Sequence, residues 1–493
     1  MKTYIGIDLG TSAAKLLLMD ARGKILNCIS KEYPLEFPQP GWSQQNPSDW
    51  LTAVMAGIPE LLQGFEGITV AGIGCGGQMH GLVILDAQDR VIRPAILWND
   101  GRTAAQTAWL NETVGKDKLS DYAANIAFAG FTAPKLMWVR ENEPENFARI
   151  AKIMLPKDYI NYCLTGVHAC DYSDASGMLL LDVKHKCWIK EMLDICGVTE
   201  RQMPKLFESY APIGMLKSEM ADALGLSANV VVAAGAGDNA AAAVGTGTVG
   251  DGDCNISLGT SGTVFVSQDV FSVDARNALH SFAHASGKYH LMGCILSAGS
   301  CNRWWMEQVL KTSDFAAEQA NLEALFGKND VYFLPYLMGE RSPHNDVNAR
   351  GCFIGLRPDT GRECMTLAVL EGVAFALRDC LEVAKANGLN ISRTKVCGGG
   401  ARSKLWRRIL ANVLGIPVDV PRVEEGPAYG GSILAMVACG DYPDVESACE
   451  ELTAIASTVE PETALMEAYE RKYRNYMAIY PACKDLFAQL TSE

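Results

Sequence analysis

The chain has 493 residues, enough for two or three domains, and its 48% hydrophobic and 20% charged residues are ordinary for a globular enzyme. Its net charge of −14, without a lysine- or arginine-rich run, excludes a nucleic-acid partner, because a phosphate backbone requires a basic surface. The longest uncharged stretch, residues 68–85, is rich in glycine and contains Gln78 and His80, so we expect no membrane partner.

The 16 cysteines are scattered and form no Cys-x-x-Cys pair. The opening MKTYIGIDLG is interrupted by Asp8 and is not a signal peptide. We therefore expect reduced thiols, a cytoplasmic location and no metal bound by cysteine clusters.

In chain order, the apolar runs predict an α/β protein. The chain opens as a strand over residues 4–9, a turn at Gly10 and Thr11, and a returning strand that ends at Met19. Further elements predicted in the first part are a helix over 47–65, a strand over 68–73, a mainly helical region over 103–165, a strand over 230–234 and a helix over 239–244. Later elements are strands over 332–336 and 394–397 and helices over 365–387 and 404–415.

The opening pattern occurs twice. IGIDLGTS at residues 5–12 is echoed by NISLGTS at 255–261, and an apolar strand follows each copy. Gly10 and Gly259 are 249 residues apart, about half the chain. A repeat at this spacing and in this context predicts two domains of common ancestry, joined by a flexible, glycine-rich link near residues 245–253.

A turn of the type Asp-Leu-Gly-Thr-Ser suits phosphate binding. Glycine lets the backbone approach a ligand, and the next amides and hydroxyls serve as donors to phosphate oxygens. The first turn also carries Asp8, which could hold magnesium through water, and Lys15, which could reach a phosphate; the second has Ser257 in place of Asp8. Either turn alone could be an ordinary hairpin, but the pair favours a clamp on a triphosphate.

A glycine run and a glycine-flanked acid add two further candidates. The segment 398–402, Gly-Gly-Gly-Ala-Arg, lies between a strand and a helix and suits an adenosine ligand, although a turn needed for packing explains it too. The segment 235–240 formally matches a dinucleotide motif, but Asp238 would repel a pyrophosphate. Asp238 suits a general base or a helix N-cap, and its spacing does not decide between them.

The histidines are weaker indications of a functional site than the glycine turns and Asp238. His80, with Met79, could contact a sugar, but a lone histidine is more often structural. We interpret His280 and His284 as structural because no third metal ligand accompanies them. The absence of a G-x-x-x-x-G-K-[ST] sequence excludes a P-loop kinase, and the absence of G-x-S-x-G weakens a hydrolase assignment.

Together these segments resemble the FGGY family of carbohydrate kinases, in the actin-like ATPase superfamily, to about residue 440. The resemblance implies two α/β domains of actin-like (ribonuclease H-like) fold with a cleft between them. Besides the two repeats and GDNAA (237–241), the similar segments are GGQMHG (76–81), RPAILWNDGR (93–102), GFTAPKLMWV (130–139), LPKDY (155–159), LPYLMGERSPH (334–344) and GGGARS (398–403).

The resemblance also implies roles for individual residues. Asp238 matches the catalytic base, and Asp8 matches the carboxylate near magnesium and the phosphates. Met79 and His80 match the sugar-contacting pair, which Asn239 joins. The positions that match nucleotide and phosphate contacts are Thr11, Ser12, Lys15, Gly259, Thr260, Gly399, Gly400 and Ala401. Many relatives have arginine where this chain has Lys15, so its contact geometry is in doubt.

The implied activity is ATP- and magnesium-dependent phosphorylation of a small sugar, because the segments look most like those of members that act on D-xylulose. Another pentulose or a polyol, such as ribulose or glycerol, remains an alternative substrate, and a non-enzymatic actin-like nucleotide switch is the alternative of a different class. The expected organisation is a sugar-binding domain at 1–245, a nucleotide-binding domain at 254–440 and a helical tail at 441–493 packed on the second domain. This domain organisation is compatible with a homodimer.

Overall fold

The computed structural model describes residues 1–491, so the last two residues of the expected tail lie outside the described part. Fifteen strands belong to the first half of the chain: β1 Lys2–Leu9, β2 Ala13–Asp20, β3 Ile25–Glu32, β4 Gln44–Gln45, β5 Thr69–Gly77, β6 Val83–Leu85, β7 Ala95–Ile96, β8 Lys152–Met154, β9 Ala169–Asp171, β10 Leu181–Asp182, β11 Cys187–Trp188, β12 Lys205–Phe207, β13 Pro212–Met215, β14 Val231–Ala233 and β15 Ala236–Gly237. Nine follow: β16 Cys254–Leu258, β17 Gly262–Gln268, β18 His280–Ala283, β19 Tyr289–Ile295, β20 Tyr332–Leu334, β21 Cys352–Ile354, β22 Thr394–Cys397, β23 Val418–Pro421 and β24 Ile455–Val459.

The α-helices lie between and after these strands: α1 Pro47–Leu62, α2 Ala104–Trp109, α3 Lys116–Ala123, α4 Thr132–Asn142, α5 Pro144–Phe147, α6 Pro156–Thr165, α7 Tyr172–Ala175, α8 Lys190–Cys196, α9 Ser218–Leu224, α10 Asp238–Gly245, α11 Gly299–Arg303, α12 Phe315–Gln319, α13 Arg362–Ala386, α14 Lys404–Leu414, α15 Gly426–Ala438, α16 Val445–Leu452 and α17 Thr463–Thr491. Among the residues described, none of these helices is both long and apolar enough to cross a bilayer.

Two large sheets repeat one topology. The first has the order β13-β14-β5-β1-β2-β3, with β15 also paired to β5, and the second has the order β18-β19-β17-β16-β22-β23-β24. In each sheet a central antiparallel hairpin, β1-β2 or β16-β17, has a parallel strand beside its first member, β5 or β22. The predicted internal repeat is therefore confirmed at the level of strand order.

The two hairpins carry different residues at their corresponding positions. In β1-β2, Asp8 lies opposite Lys15, and in β16-β17, Ser257 lies opposite Thr263. Directly opposed residues of an antiparallel pair share one face of the sheet. The first hairpin therefore presents a carboxylate and an ammonium group together, and the second presents two hydroxyls.

Helix α15 belongs to the later half of the chain but packs on the first sheet, against β1, β5 and α10. A Cβ added to Gly430 would overlap the carbonyl oxygen of Ala241 in α10, and one added to Gly74 in β5 would overlap the carbonyl oxygen of Gly431. Backbone thus lies directly on backbone here, which only glycine allows.

The connection over residues 246–253 differs from the flexible link that its composition predicts. Thr246 and Thr248 are buried, and their hydroxyls are hydrogen-bonded to each other at 3.0 Å. His284 also bonds the carbonyl of Thr248 at 2.9 Å. The segment is packed between the halves because its hydroxyls and backbone groups find buried partners, so glycine content alone was misleading.

The glycine face of α15 generates a stability prediction. We expect Gly430→Ala to destabilise the protein by about 3 kcal/mol, because neither backbone can move away without disturbing a sheet or a helix. Gly426→Ala is the matched control in the same helix, since its added Cβ would meet its nearest neighbour, the Cβ of Ala242, at 3.5 Å. Urea unfolding followed by circular dichroism compares the two variants, and equal midpoints would contradict the prediction.

Candidate active site

Three parallel strand ends bring the predicted sugar-side residues together. In the register of β1, β5 and β15, Asp8 is paired with Gly76, and Gly76 is paired with Ala236. The chain then continues from β5 to Met79 and from β15 to Asp238. Neighbouring strands lie about 5 Å apart, so β1 and β15 are separated by about 10 Å across β5. The carboxyl edge of a parallel sheet is where α/β proteins place their ligands.

Asp8 lies in an environment that disfavours its charge. Burial, and then the negative charge of Asp238, raise the pKa of Asp8 to about 7, although Lys15 opposes the rise. Lys15 itself forms an ion pair with Glu425, with 2.5 Å between Nζ and Oε2. Burial opposes the lysine charge, but the Glu425 pair outweighs it and raises the pKa of Lys15. The carboxylates of Asp8 and Glu425 thus compete for the single positive charge of Lys15.

Asp238 is the first residue of α10. The residue before it, Gly237, occupies the N-cap position, so the N-cap alternative for Asp238 is wrong. Asp238 Oδ1 accepts hydrogen bonds from the backbone N–H of Asn239 at 2.7 Å and from its Nδ2 at 2.9 Å. Within residues 1–491, Oδ2 has no such donor. Burial raises the pKa of Asp238 to about 6, and the two bonds from Asn239 limit the rise.

Met79 packs against Gly237, the residue before Asp238, and His80 follows Met79 in the chain. The Met79 side chain lies against Gly237, where a Cβ would meet its Cγ at 2.9 Å. His80 Nδ1 is 2.7 Å from the carbonyl oxygen of Gly177. A carbonyl only accepts, so Nδ1 carries the hydrogen and donates it. Burial lowers the pKa of His80 to about 3, which leaves the ring neutral and its Nε2 an acceptor.

His80 is also held at its backbone. Its carbonyl oxygen accepts hydrogen bonds from Thr132 Oγ1 at 3.0 Å and from Lys135 Nζ at 2.8 Å. The residue has a positive φ of 69°, which few non-glycine residues adopt. Its ring stacks on Phe131 at a centroid distance of 4.7 Å. The ring orientation is therefore fixed by contacts on several sides.

The other two histidines considered from the sequence are also buried, His280 at the start of β18 and His284 directly after this strand. His284 bonds a backbone carbonyl, and His280 Nδ1 lies 3.1 Å from Asn125 Oδ1. Across residues 1–491, no three His, Cys, Asp or Glu side chains form a group that could hold a metal ion. Any metal near Asp8 would thus take most of its ligands from substrate and water.

The first hairpin turn presents hydroxyls beside a tryptophan. Thr11 Oγ1 accepts a hydrogen bond from Trp98 Nε1 at 3.0 Å, and the Thr11 carbonyl accepts one from Gln45. Ser12 is exposed. Trp98 belongs to the RPAILWNDGR segment and remains partly exposed, so it forms part of the wall next to the turn.

Four of the predicted nucleotide-side residues line a cavity of about 750 Å³ in the second half. Gly259 and Thr260 from the second hairpin face Gly399 and Gly400 from the glycine run, with Trp406 at the side. Gly399 has open space where a Cβ would be, whereas a Cβ on Gly400 would press on Trp406. Gly399 therefore leaves room for a ligand, and Gly400 is required for packing.

A smaller cavity of about 360 Å³ adjoins the first through Gly399. It is lined by Lys15 of the first half and by Ala401, Arg402 and Glu425 of the second. The two cavities together connect the glycine run to the charged hairpin across the boundary between the halves. All eight predicted nucleotide and phosphate positions except Thr11 and Ser12 line one of these cavities.

A buried charge cluster supports the sugar-side residues. Lys157 is fully buried, with Nζ 2.8 Å from Asp171 Oδ1 and within ion-pair distance of Asp158 and Asp174. Asp171 also accepts hydrogen bonds from Ser173, whose hydroxyl accepts from the Gly237 N–H at 3.2 Å. A buried charge is stable only when paired and hydrogen-bonded, so the cluster fixes the backbone just before Asp238.

The sequence did not assign roles to Trp98, Glu425 or Lys157. Trp98 and Lys157 lie in segments used only to establish the family resemblance, and Glu425 lies outside every motif. A sequence signal for Glu425 exists in hindsight: an acid immediately before a glycine-rich helix.

Comparisons with known proteins identify the family of the chain. The sequence model of the FGGY family of carbohydrate kinases, N-terminal domain, matches residues 3–245, and that of the C-terminal domain matches residues 254–439. The chain is 39% identical to the xylulose kinase of Escherichia coli (strain K12) over 487 residues, which cover 98% of this chain and 100% of that protein.

Two solved structures share the whole fold. The ligand-bound xylulose kinase from Lactobacillus acidophilus is 27% identical, with a TM-score of 0.94 and 100% of both chains covered. The gluconate kinase from Lactobacillus acidophilus is 26% identical, with a TM-score of 0.95 over 99% of this chain and 100% of that one. The predicted fold class, two related actin-like α/β domains, is confirmed. The chain belongs to the FGGY family of carbohydrate kinases.

Proposed function

We propose that this protein transfers the γ-phosphoryl group of ATP to the terminal hydroxyl of D-xylulose, forming D-xylulose 5-phosphate and ADP. The observation that carries the proposal is the convergence of Asp8, Met79, His80 and Asp238 at three adjacent strand ends. The names of the relatives that match the chain over nearly its full length support the choice of D-xylulose.

Asp238 acts as the general base in this proposal. Its two oxygens have different tasks, because Asn239 occupies Oδ1 and leaves Oδ2 to accept the proton of the sugar hydroxyl. As that proton moves to Oδ2, the hydroxyl oxygen forms a bond to the γ-phosphorus and the bond to the ADP oxygen breaks. Positioning supplies most of the rate, because phosphoryl transfer needs little covalent assistance.

His80, Met79 and Asn239 hold the sugar. Neutral His80 accepts a hydrogen bond from a sugar hydroxyl through Nε2, since its Nδ1 hydrogen is committed to Gly177. Met79 packs on the carbon chain, and the Asn239 side-chain oxygen is available for a second hydroxyl. The buried Lys157 cluster maintains these positions through Ser173 and Gly237.

The phosphates of ATP lie between the two hairpins in this proposal. Thr11, Ser12 and Lys15 bind them from the first half, and Gly259 and Thr260 bind them from the second. Gly399, Gly400 and Ala401 contact the adenosine side. Because Lys15 already pairs with Glu425, binding of phosphate oxygens there competes with that carboxylate.

Asp8 fits a magnesium ion. Its raised pKa reflects burial and an acidic neighbour, conditions that a divalent cation would relieve. Oxygen donors are what magnesium prefers, and one carboxylate together with phosphate oxygens and waters is a usual set. Asp8 would hold the ion through water, and the ion would supply neutralisation of phosphate charge.

The proposal also includes the domain organisation, assembly and location expected from the sequence. Residues 1–245 bind the sugar, residues 254–440 bind the nucleotide, and the tail that follows packs on the second domain, as the contacts of α17 with α14 support. All 16 cysteines are free, which supports a reducing cytoplasmic location. A homodimer is the assembly we would test by light scattering.

A sugar panel tests the proposed substrate. We expect coupled ADP release to give the highest kcat/KM with D-xylulose, compared with D- and L-ribulose, L-xylulose, glycerol and D-gluconate. D-gluconate is the second candidate because a gluconate kinase shares the whole fold. A higher kcat/KM for another sugar would replace D-xylulose, and ATP hydrolysis unaffected by every sugar would favour the nucleotide-switch alternative.

Replacement of the base tests the assignment of Asp238. We expect Asp238→Asn to lower kcat by about 10²- to 10⁴-fold, because the amide cannot accept the proton. The ATP dissociation constant should stay within about twofold, since in this proposal the two hairpins bind the phosphates and Asp238 belongs to neither of them. Exposed Asp194→Asn, whose lysine partner is also exposed, is the matched control and should retain wild-type turnover. Wild-type kcat in the Asp238 variant would refute the assignment.

The pH dependence follows from the raised pKa of Asp238. A base must be ionised to accept a proton, so the active form exists above the pKa, and kcat/KM for the sugar should fall as pH decreases through about 6. His80 should not contribute, because its pKa is about 3. The residual activity of Asp238→Asn should lack this step, because the titrating carboxylate is gone. A flat profile between pH 5 and 8 would contradict this prediction.

A further inference from the structure

Arg341 lies in the GERSPH part of the 334–344 segment, to which no role has been assigned so far. The loop is fixed at the end of β19. Glu340 Oε1 accepts hydrogen bonds from the backbone N–H of Leu296 at 2.9 Å and of Arg341 at 2.7 Å. The Ser342 N–H donates to the Cys294 carbonyl at 2.9 Å. The backbone of Arg341 is thus held on both sides, and its side chain leaves the second half from a defined point.

The Arg341 side chain reaches an aromatic wall of the first half. Its guanidinium carbon is 5.1 Å from the ring centroid of Phe128. Phe128 lies edge-on to Phe131 at 5.4 Å, and Phe131 stacks on His80 at 4.7 Å. From the second half, His280 also packs edge-on to Phe128 at 5.0 Å. Arg341 therefore belongs to the surroundings of the proposed sugar contact.

The guanidinium of Arg341 forms no ion pair with a carboxylate in the part of the chain that the structure describes, although its charge opposes the rise in pKa that burial gives to the neighbouring Glu340. There, its five N–H groups donate to no carboxylate, carbonyl or hydroxyl, whereas buried Arg102 pairs with Asp100 at 2.8 Å. After burial, the positive charge of Arg341 is among the causes that lower the pKa of His80 and of His280. Both imidazoles next to this cation are consequently neutral.

The guanidinium of Arg341 lies over the ring of Phe128, and this contact uses none of its N–H groups as hydrogen-bond donors. The N–H donors of arginine lie in the guanidinium plane, so stacking on a ring does not consume them. The Arg341 nitrogens are accessible to solvent, because none of them is among the buried atoms without a partner, and a ligand oxygen can accept hydrogen bonds from these donors. The nearby histidines cannot do so with their Nδ1 atoms, because those carry hydrogens donated to Gly177 and Asn125.

We propose that Arg341 binds an oxygen of the sugar at the end that lies beside His80, so that both halves of the chain recognise the substrate. This inference rests on the proposed function and extends it. His80 and Asp238 accept hydrogen bonds from the sugar, and Arg341 supplies a charged donor. A sugar oxygen without a hydrogen, such as a ketose carbonyl, is bound by a donor and not by an acceptor, so Arg341 favours ketoses over polyols.

Three variants of the full-length protein test the role of Arg341. Arg341→Met keeps an aliphatic contact with Phe128 and removes every donor, and Arg341→Lys keeps the charge without the planar fork. Arg350→Met is the matched control, because Arg350 is exposed and bonds only backbone carbonyls of its own loop. Steady-state kinetics with D-xylulose and ATP, and calorimetric titration with sugar alone, are measured for each.

We expect Arg341→Met to raise KM and the dissociation constant for D-xylulose by about 10- to 100-fold, the range for a hydrogen bond to a charged group. Arg341→Lys should fall between it and wild type, and the ATP KM should remain within about twofold in all variants. The preference for D-xylulose over xylitol should shrink in Arg341→Met. The Arg350 control should behave as wild type.

An unchanged sugar affinity in folded Arg341→Met would overturn the inference. A parallel loss of sugar affinity, ATP affinity and melting temperature would overturn it as well, since that pattern indicates a structural role. The turnover of the sugar panel by the wild-type protein tests the proposed function separately. If another ketose is the substrate, the same variants are compared on that sugar. If the wild-type protein binds no sugar, both proposals fail.

Discussion

The direct contact of backbone with backbone between α15 and the first sheet is the constraint on which the site depends. Glycines 6, 74 and 430 bring β1, β5 and α10 against this helix with no side chain between them. Those same elements end or begin at the proposed site residues: β1 carries Asp8, β5 leads to His80, and α10 starts at Asp238. Because close-packed backbones cannot slide without overlap, the contact fixes these groups relative to Glu425, which immediately precedes α15. The position of the proposed proton acceptor thus depends on a packing contact made by glycine backbone.

Much of the fold could be predicted from the sequence. The repeated hairpin has a local signature, an apolar strand followed by a glycine turn, and its second occurrence halfway along the chain indicated two related domains. The packing of α15 on the other half could not be predicted, because its glycines resemble those of any turn until their distant neighbours are known. The same ambiguity made residues 246–253 appear flexible. Glycine content reports conformational freedom of the chain, but Thr246 and Thr248 in that segment are buried and hydrogen-bonded to each other.

The candidate site, like the fold, could be predicted only in part from the sequence. Asp8, His80 and Asp238 lie in compact motifs, so their proximity followed from strand order once the motifs were recognised. Glu425 lies 410 residues from its partner Lys15, and no local pattern links them. Lys157 illustrates a further difficulty. In the sequence, a lysine next to an aspartate is typical of an exposed ion pair. The three carboxylates lie around Lys157 only because α6, β9 and α7 pack together in the fold. Electrostatic partners contributed by separate elements are invisible in a single sequence.

The replacement of Asp8 by Ser257 in the second hairpin gives the duplicated scaffold a polarity. Two acidic hairpins facing each other would repel a polyphosphate from both sides. With a serine in one copy, that hairpin offers neutral donors, and the carboxylate is kept in the other hairpin alone. Under the proposed mechanism the donor nucleotide rests on the neutral side and the acceptor alcohol on the acidic side. A single substitution after duplication would then be sufficient to turn two equivalent halves into a donor side and an acceptor side.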